Sequence, residues 1–257
     1  MMRGLGLALA FAAGIAPGVS AQWLLVPMDD AQQNHLKSYG LTYSALKAGM
    51  KAEWLLNYRG GAFLLPDTPE LRRRAGLDGV STEPVDGSQV ASIRAEIVSA
   101  NMDAIPLEKA PRIAVYTPPD APPWDDAVTL ALKYAGIEYT PVYDDEVQRG
   151  DLTEFDWLHL HHEDFTGQMN KFHLGYRDAS WFVDLVQKNS AAARRLGFTN
   201  IPALKKSVAE NIRLFVERGG FVFAMCGATE TLELAVAGFG VDMAGAFADG
   251  TPMDENS

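Results

Sequence analysis

Residues 221–232 read FVFAMCGATETL, and this stretch decides the fold. An apolar strand pattern ends at Met225, a tight turn of small residues follows at Cys226 and Gly227, and a helix pattern resumes at Ala228. This order is typical of a nucleophile elbow, which lifts one side chain above the carboxyl edge of a sheet. The N–H groups at a helix start favour a thiolate and can stabilise an oxyanion. The alternative is that this single cysteine is a small buried apolar residue.

The sequence around the elbow alternates between strand and helix patterns from Pro111 onward. We predict strands over residues 112–117, 137–143, 155–160 and 221–225, and helices over residues 125–134, 181–196, 203–218 and 228–237. Short links between such elements favour a mainly parallel, doubly wound sheet. The expected fold class is therefore α/β and flavodoxin-like.

The residues before Pro111 form a second, smaller pattern. Residues 22–108 contain a buried strand pattern, a helix pattern and short apolar runs, which predict a small N-terminal α/β extension. Within it, residues 66–90 contain three prolines and little periodicity, so we predict a surface excursion there. The main domain is expected over residues 109–257.

The first 21 residues have the pattern of a secretory signal peptide. Arg3 gives a short positive start, residues 5–15 form an apolar run, and Val-Ser-Ala at residues 19–21 fits cleavage before Gln22. We therefore expect an exported protein that is periplasmic or secreted. No later apolar run approaches the length of a membrane span, so none is expected once the signal is removed.

The composition limits the classes of function. The 257 residues carry 22 Lys and Arg against 33 Asp and Glu, a formal net charge of −11, and 47% of them are hydrophobic. This hydrophobic content argues against a disordered or collagen-like chain. The negative charge repels phosphate backbones and argues against nucleic-acid binding, which leaves a small molecule as the expected partner. One cysteine allows no internal disulfide and no zinc site built from several thiolates.

A histidine-rich segment follows the third predicted strand of the main domain. Residues 159–164 read HLHHED and lie at the carboxyl edge of the sheet, where Cys226 is also expected. His161 or His162, together with Glu163, is a candidate catalytic base for the thiol, and this chemistry needs no cofactor.

Two other roles are open for the same segment. His159, His161 and Glu163 form a His/His/carboxylate set that suits a divalent metal ion. Alternatively, the imidazoles hydrogen-bond the loop that follows and order it.

A proline-rich loop after the first strand of the main domain supplies candidate binding residues. Residues 117–126 read TPPDAPPWDD and lie at the same carboxyl edge. Asp125 is placed to cap the next helix. Capping does not explain Asp120 or Trp124, and an aromatic ring over an acidic crevice suits a sugar or an amine. With Gly227 in the elbow, these residues form the expected binding set.

Three segments together resemble a known family. They are PRIAVYTPPDAPPWDDAVTLAL at residues 111–132, FDWLHLHHEDFTGQ at 155–168 and GGFVFAMCGATETLELA at 219–235. The combination is similar to exported bacterial proteins with a class I glutamine amidotransferase-like domain, which often carry the label "asparagine synthetase B". The resemblance implies a flavodoxin-like fold with Cys226 in the elbow. It also implies a cysteine-dependent hydrolase or amidase acting on a small C–N substrate.

The sequence departs from this chemistry in two respects. Asparagine synthesis needs an N-terminal cysteine nucleophile and a Ser-Gly-Gly loop for ATP, and this chain has neither. Class I amidotransferases place a His and a Glu, two residues apart, after the Cys, whereas no histidine follows His173 here. The catalytic triad is therefore incomplete. We expect either a chain that is incomplete at its C-terminus or a base that comes from upstream of Cys226.

Two functions other than a cysteine hydrolase stay open at this point. One is a non-catalytic relative that keeps the fold as a binding or scaffold module. The other is a metal- or carbohydrate-binding protein that uses residues 159–164. Fold resemblance alone does not decide among these functions.

Overall fold

The computed structural model describes residues 22–119, 121, 127–243, 245–249 and 251–255. Its strands are β1 (Trp23–Val26), β2 (Ala52–Leu56), β3 (Phe63–Pro66), β4 (Glu83–Val85), β5 (Asp103–Leu107), β6 (Ile113–Tyr116), β7 (Thr140–Val142), β8 (Trp157–Leu160) and β9 (Phe221–Ala224). Its helices are α1 (His35–Lys47), α2 (Pro69–Asp78), α3 (Gly87–Ser99), α4 (Ala127–Ala135), α5 (Asp144–Arg149), α6 (Asn170–Tyr176), α7 (Ser180–Arg195), α8 (Ile201–Glu217), α9 (Cys226–Ala237) and α10 (Ala246–Asp249). Within these residues, no helix is both long and apolar enough to cross a membrane. The predicted signal peptide, residues 1–21, lies outside the described residues.

The chain forms two compact units. The first contains the residues up to His35 and the segment Gly49–Glu108, and the second contains Leu36–Ala48 and the chain from Lys109 onward. Helix α1 therefore belongs almost entirely to the second unit, although it precedes most strands of the first. Gly40 permits this packing, because a Cβ there would lie 1.8 Å from the carbonyl oxygen at the end of α4.

The first unit is built on a five-stranded antiparallel sheet in the order β4-β1-β3-β2-β5. Leucines at positions 25, 55 and 64 are buried on one face of this sheet. Helix α3 covers that face with Val90, Ile93 and Ile97, which recur at helical spacing. This unit therefore has its own apolar core.

The predicted surface excursion over residues 66–90 is wrong, because α2, β4 and the start of α3 lie there. The Thr68 hydroxyl accepts a hydrogen bond from the N–H of Leu71 at 3.2 Å, and Pro69 occupies the first turn of α2. Both features start helices. Gly79 then ends α2 in a left-handed conformation. The prolines and polar residues therefore mark helix ends and not an irregular loop.

The second unit is built on a four-stranded parallel sheet in the order β7-β6-β8-β9. The chain passes from β6 to β7 on one side of β6 and then crosses to β8 on its other side. The carboxyl ends of β6 and β8 therefore flank a point where the strand order reverses. Parallel α/β sheets bind their ligands at such points.

Helices cover both faces of this parallel sheet. Ala114 and Tyr116 of β6 face the core that α8 closes, whereas Ile113 and Val115 pack with Leu132 of α4. A strand that is apolar on both faces is typical of a buried parallel strand. The predicted α/β class is confirmed. The predicted mainly parallel sheet describes only this unit, because the sheet of the first unit is antiparallel.

Strand β9 lies at the edge of the parallel sheet. Val222 and Ala224 pack against the core, while Phe221 and Phe223 are 57% and 46% exposed. The strand predicted over residues 221–225 is therefore present, but it is not buried on both faces as its apolar pattern suggests. The reason is topological, because in the described residues no strand pairs with the outer side of β9.

Candidate functional site

Cys226 lies at the junction of β9 and α9, at the carboxyl edge of the parallel sheet. Met225 is extended, and Cys226, the first residue of α9, has a φ of +49°. A residue with a Cβ rarely adopts this left-handed conformation, and such strain is typical of a nucleophile elbow. Cys226 is exposed, so the alternative of a buried apolar cysteine is wrong. Gly227 lies in the first turn of α9 and not in a separate turn.

Backbone hydrogen bonds hold the elbow. The N–H of Ala228 donates to Met225 O at 3.1 Å and to His161 O at 3.4 Å, and Ala228 is fully buried. In the described part of the chain, the N–H groups of Cys226 and Gly227 have no acceptor. They can therefore donate to a negatively charged oxygen, as the N–H groups of an oxyanion hole do.

The histidine segment lies beside the elbow, as the sequence predicts. Strands β8 and β9 are parallel neighbours with Leu160 opposite Ala224, so two more residues along each chain bring His162 opposite Cys226. A Cβ built on Gly227 would lie 3.5 Å from the carbonyl oxygen of His162. The two segments therefore share one edge of the sheet and are in contact.

The imidazoles of His161 and His162 contact each other. Their Nδ1 atoms lie 3.0 Å apart, and the rings meet edge to face with their centroids 4.8 Å apart. When both rings are neutral, one Nδ1 donates a hydrogen bond and the other accepts it. The tautomer in which His162 donates leaves its Nε2 without a proton. That is the form a general base requires.

Glu163 connects this pair to α9 and to its own strand. Its carboxylate accepts a hydrogen bond from the N–H of His161 at 3.0 Å, and its carbonyl oxygen accepts one from the Thr231 hydroxyl at 2.8 Å. Burial raises the pKa of Glu163, and the hydrogen bond from His161 and the positive charges of His162 and Lys205 oppose that shift. The ionised carboxylate therefore interacts favourably with a protonated His162.

The raised pKa of Glu163 gives a prediction for stability. A carboxyl whose pKa rises on folding contributes stability below its unfolded pKa, about 4.3 for glutamate, and loses that contribution as pH rises through the folded pKa. The Glu163→Gln variant has no such loss. We expect its free energy of unfolding to improve relative to the wild type between about pH 4 and about pH 8, in urea denaturation. Glu230→Gln, at an exposed position of α9, is the control. This account would be contradicted if the free energy of unfolding of Glu163→Gln fell relative to that of the wild type as the pH rises.

The loop that follows β8 is fixed by its own contacts. The Asp164 carboxylate accepts two backbone N–H groups of the loop, each at 2.9 Å. The ring of Phe165 is fully buried, with its centroid 5.1 Å from that of Tyr116. Gly167 has a φ of +68°, and a Cβ there would lie 2.8 Å from Pro202 of α8. The segment that carries the two histidines is therefore held in place from several sides.

His159 differs from His161 and His162 in its burial. It is fully buried, and its ring lies between those of Phe223 and His161, at centroid distances of 6.0 and 6.2 Å. No group of three or more His, Cys, Asp or Glu in the described ranges is arranged to hold a metal ion. The geometry therefore gives no support to a metal site formed by His159, His161 and Glu163. Asp120, Trp124 and Asp125, predicted to bind a ligand, lie outside the described residues.

A buried polar cluster at the carboxyl ends of β6 and β7 was missed by the sequence analysis. Lys205 of α8 donates to both carboxylate oxygens of Asp144 at 2.9 Å and to the hydroxyls of Tyr116 and Tyr143 at 3.1 Å. Asp144 is 0% and Lys205 4% exposed. Burial lowers the pKa of Lys205, but Tyr143 and Asp144 outweigh burial and raise it. The lysine is therefore charged inside the core.

One sequence signal could have revealed this cluster. The buried positions of α8 recur at helical spacing, and they include Leu204, Val208 and Ile212. Lys205 occupies the same apolar stripe. A charged residue there requires a buried partner.

No known protein-family model matches this chain, and neither a curated protein nor a solved structure matches it.

Proposed function

We propose that this protein is a cysteine-dependent hydrolase that cleaves the C–N bond of a small amide, with Cys226 as its nucleophile. The left-handed backbone at Cys226 carries the proposal. An exposed cysteine gains little from packing, so packing does not offset the backbone strain at this position. A nucleophile elbow requires that strained backbone, because it presents the nucleophile above the sheet. The resemblance to the class I glutamine amidotransferase-like family, with its flavodoxin-like fold, also supports this function.

The proposed reaction uses groups at the edge shared by β8 and β9. His162 takes the proton of the Cys226 thiol, and the thiolate attacks the carbonyl carbon. The N–H groups of Cys226 and Gly227 stabilise the oxyanion. The C–N bond then breaks as His162 returns its proton to the leaving amine, and water hydrolyses the thioester to release the acid.

This assignment gives the remaining residues of the segment supporting roles. His161 donates to or accepts from His162, and the Glu163 charge stabilises the imidazolium that forms. The base comes from upstream of the nucleophile, which is one of the two alternatives that the sequence leaves open. The reaction needs no cofactor, and its expected substrate is a small molecule.

Alkylation of Cys226 tests the proposal. A histidine that takes the proton of a thiol assists attack by the sulfur, so we expect iodoacetamide to label Cys226 faster in the wild type than in His162→Ala. The measurement is the rate of label incorporation by mass spectrometry, with both proteins at the same fixed pH.

The control is His173→Ala, because His173 packs against Phe182 and Phe247. This variant should label at the wild-type rate. A Cys226 thiol that is labelled equally fast in the wild type and in His162→Ala would overturn the proposal. The non-catalytic binding module would then be the better account.

Export is part of the proposed function, on the strength of the N-terminal sequence pattern. We expect the mature chain to begin at Gln22, which mass spectrometry of the protein from a periplasmic or culture fraction would measure. A protein that keeps Met1 in that fraction would contradict this expectation.

A further inference from the structure

A crevice lies at the carboxyl edge of the second unit, on the β7 side of the sheet. Its volume is about 330 Å³, which is within the range of small-molecule sites. Its walls are mainly apolar and include Pro118, Pro119, Leu185 and Ala192. Cys226 also lies at the carboxyl ends of the strands, but it follows β9, and β7 and β9 are the two outer strands of this sheet. The crevice is therefore a separate place on the molecule.

Five polar or charged side chains line this crevice, and two of them, Tyr143 and Asn189, are uncharged. Tyr143 and Asn189 both belong to its lining, and the Tyr143 hydroxyl lies 3.5 Å from Asn189 Oδ1. Asn189 is 5% exposed, and one of its N–H groups donates to Leu185 O at 2.9 Å. The other N–H of that amide has no acceptor within the described ranges. The crevice therefore combines apolar walls with an N–H donor and a hydroxyl.

Lys205 acts on the Tyr143 hydroxyl from inside the core. Its ammonium donates to that hydroxyl at 3.1 Å and lies 4.3 Å from the ring centroid. A hydroxyl that accepts from a cation is a stronger donor through its own proton. That proton is donated to Asn189 Oδ1, and the 3.5 Å between the two oxygens is at the long limit of a hydrogen bond. A ligand with a carbonyl oxygen offers Tyr143 a better acceptor.

The charges around the crevice balance. Lys188 pairs with Asp184 at 2.7 Å, and Arg195 pairs with Asp145 at 2.6 Å. The buried lysine pairs with its own aspartate. Because each of these cations has an anionic partner, a charged ligand would have to break an ion pair or face an uncompensated charge. The crevice therefore favours an uncharged ligand.

We infer that this crevice is a second binding site, and that it takes an uncharged carbonyl compound with a flat apolar body, such as an aromatic carboxamide. The apolar walls bury the body. Tyr143 and Asn189 donate to the carbonyl oxygen. This site does not depend on the chemistry of Cys226.

Benzamide is the probe that tests the inference. We expect saturable binding on the order of 1 mM by ligand-observed NMR, a value typical of a ligand of this size. Benzoate and benzylammonium, which have the same ring and a charge, should bind at least about fivefold more weakly. Tyr143→Phe should weaken benzamide binding by about threefold to tenfold, which is the effect of one lost hydrogen bond.

A further variant and a further probe keep the test decisive if Tyr143→Phe affects folding. Leu185→Trp fills the crevice without removing any group that Lys205 contacts, and it should abolish binding. Acetophenone, which has the same ring and carbonyl oxygen but no C–N bond for Cys226 to cleave, should bind as benzamide does, which separates this site from the elbow. The inference is overturned if benzamide fails to saturate, if Leu185→Trp binds it as the wild type does, or if either charged analogue binds as tightly.

Discussion

Lys205→Met is expected to reduce the free energy of unfolding by about 3–5 kcal/mol, the cost of breaking a buried ion pair. The substitution removes the ammonium that donates to Asp144, Tyr116 and Tyr143. Asp144 is 0% exposed, so its carboxylate would be left charged in the core without a cation. Urea denaturation followed by circular dichroism measures the effect.

The double variant Lys205→Met with Asp144→Asn separates the charge from the packing. It removes both charges, and we expect it to recover much of the lost stability, because an isolated buried charge costs more than a neutral polar group. Lys133→Met, the same substitution at an exposed position of α4, should change stability by no more than about 1 kcal/mol. A Lys205→Met variant as stable as the wild type would show that the cluster contributes nothing.

Cys226→Ala is expected to abolish amide hydrolysis, with a loss of roughly a thousandfold or more, because it removes the attacking atom. Release of ammonia or of an aromatic amine from a panel of small amides and anilides measures this loss. Cys226→Gly should be equally inactive.

The two inactive variants are expected to differ in stability. Alanine at a φ of +49° is strained by about 1–2 kcal/mol, whereas glycine adopts this conformation freely at a smaller entropic cost. Cys226→Gly should therefore be the more stable by about 1 kcal/mol. At residue 228, two residues further along α9, the order of stability should be reversed: Ala228→Gly should destabilise the protein. If the backbone at Cys226 were not strained, the form with alanine would be more stable than the form with glycine at both positions.

The main features of the second unit could be predicted from its sequence. The strand at Ile113–Tyr116 is apolar at every position, and the apolar run that ends at Met225 is followed by small residues at 226–228, so both the parallel sheet and the junction follow from pattern alone. The acidic segment Asp144–Arg149 lies in a link between two predicted strands, where the sequence analysis places no helix, and it forms helix α5. Its acidic first turn favours a helix start, which an analysis of apolar periodicity does not detect.

The sequence did not predict how the strands pair. The antiparallel sheet of the first unit depends on hydrogen bonds between distant segments, such as the pairing of Trp23 with Val85. Nothing in the local pattern specifies that register. The exposure of Phe221 and Phe223 was missed for the same reason, because the position of β9 in the sheet decides it.

The candidate site was predicted in part. Cys226 and the histidine segment were expected at one edge and lie there, because strands that run in parallel end on the same side. The contact between His161 and His162 was not predicted, since it depends on side-chain rotamers. The lysine cluster was missed because an isolated charge in an apolar stripe shows that a partner exists but not which residue it is.

The conformation at Cys226 also bears on how this sequence can change over evolutionary time. Substitution to glycine relieves the backbone, so a lineage that has lost its use for the thiol gains stability by accepting it. Cysteine at this position therefore lowers stability, and only selection for the sulfur keeps it there. Relatives that keep cysteine at this position are expected to have kept the chemistry. Relatives that carry glycine at this position are expected to have lost that chemistry and to use the fold for another function.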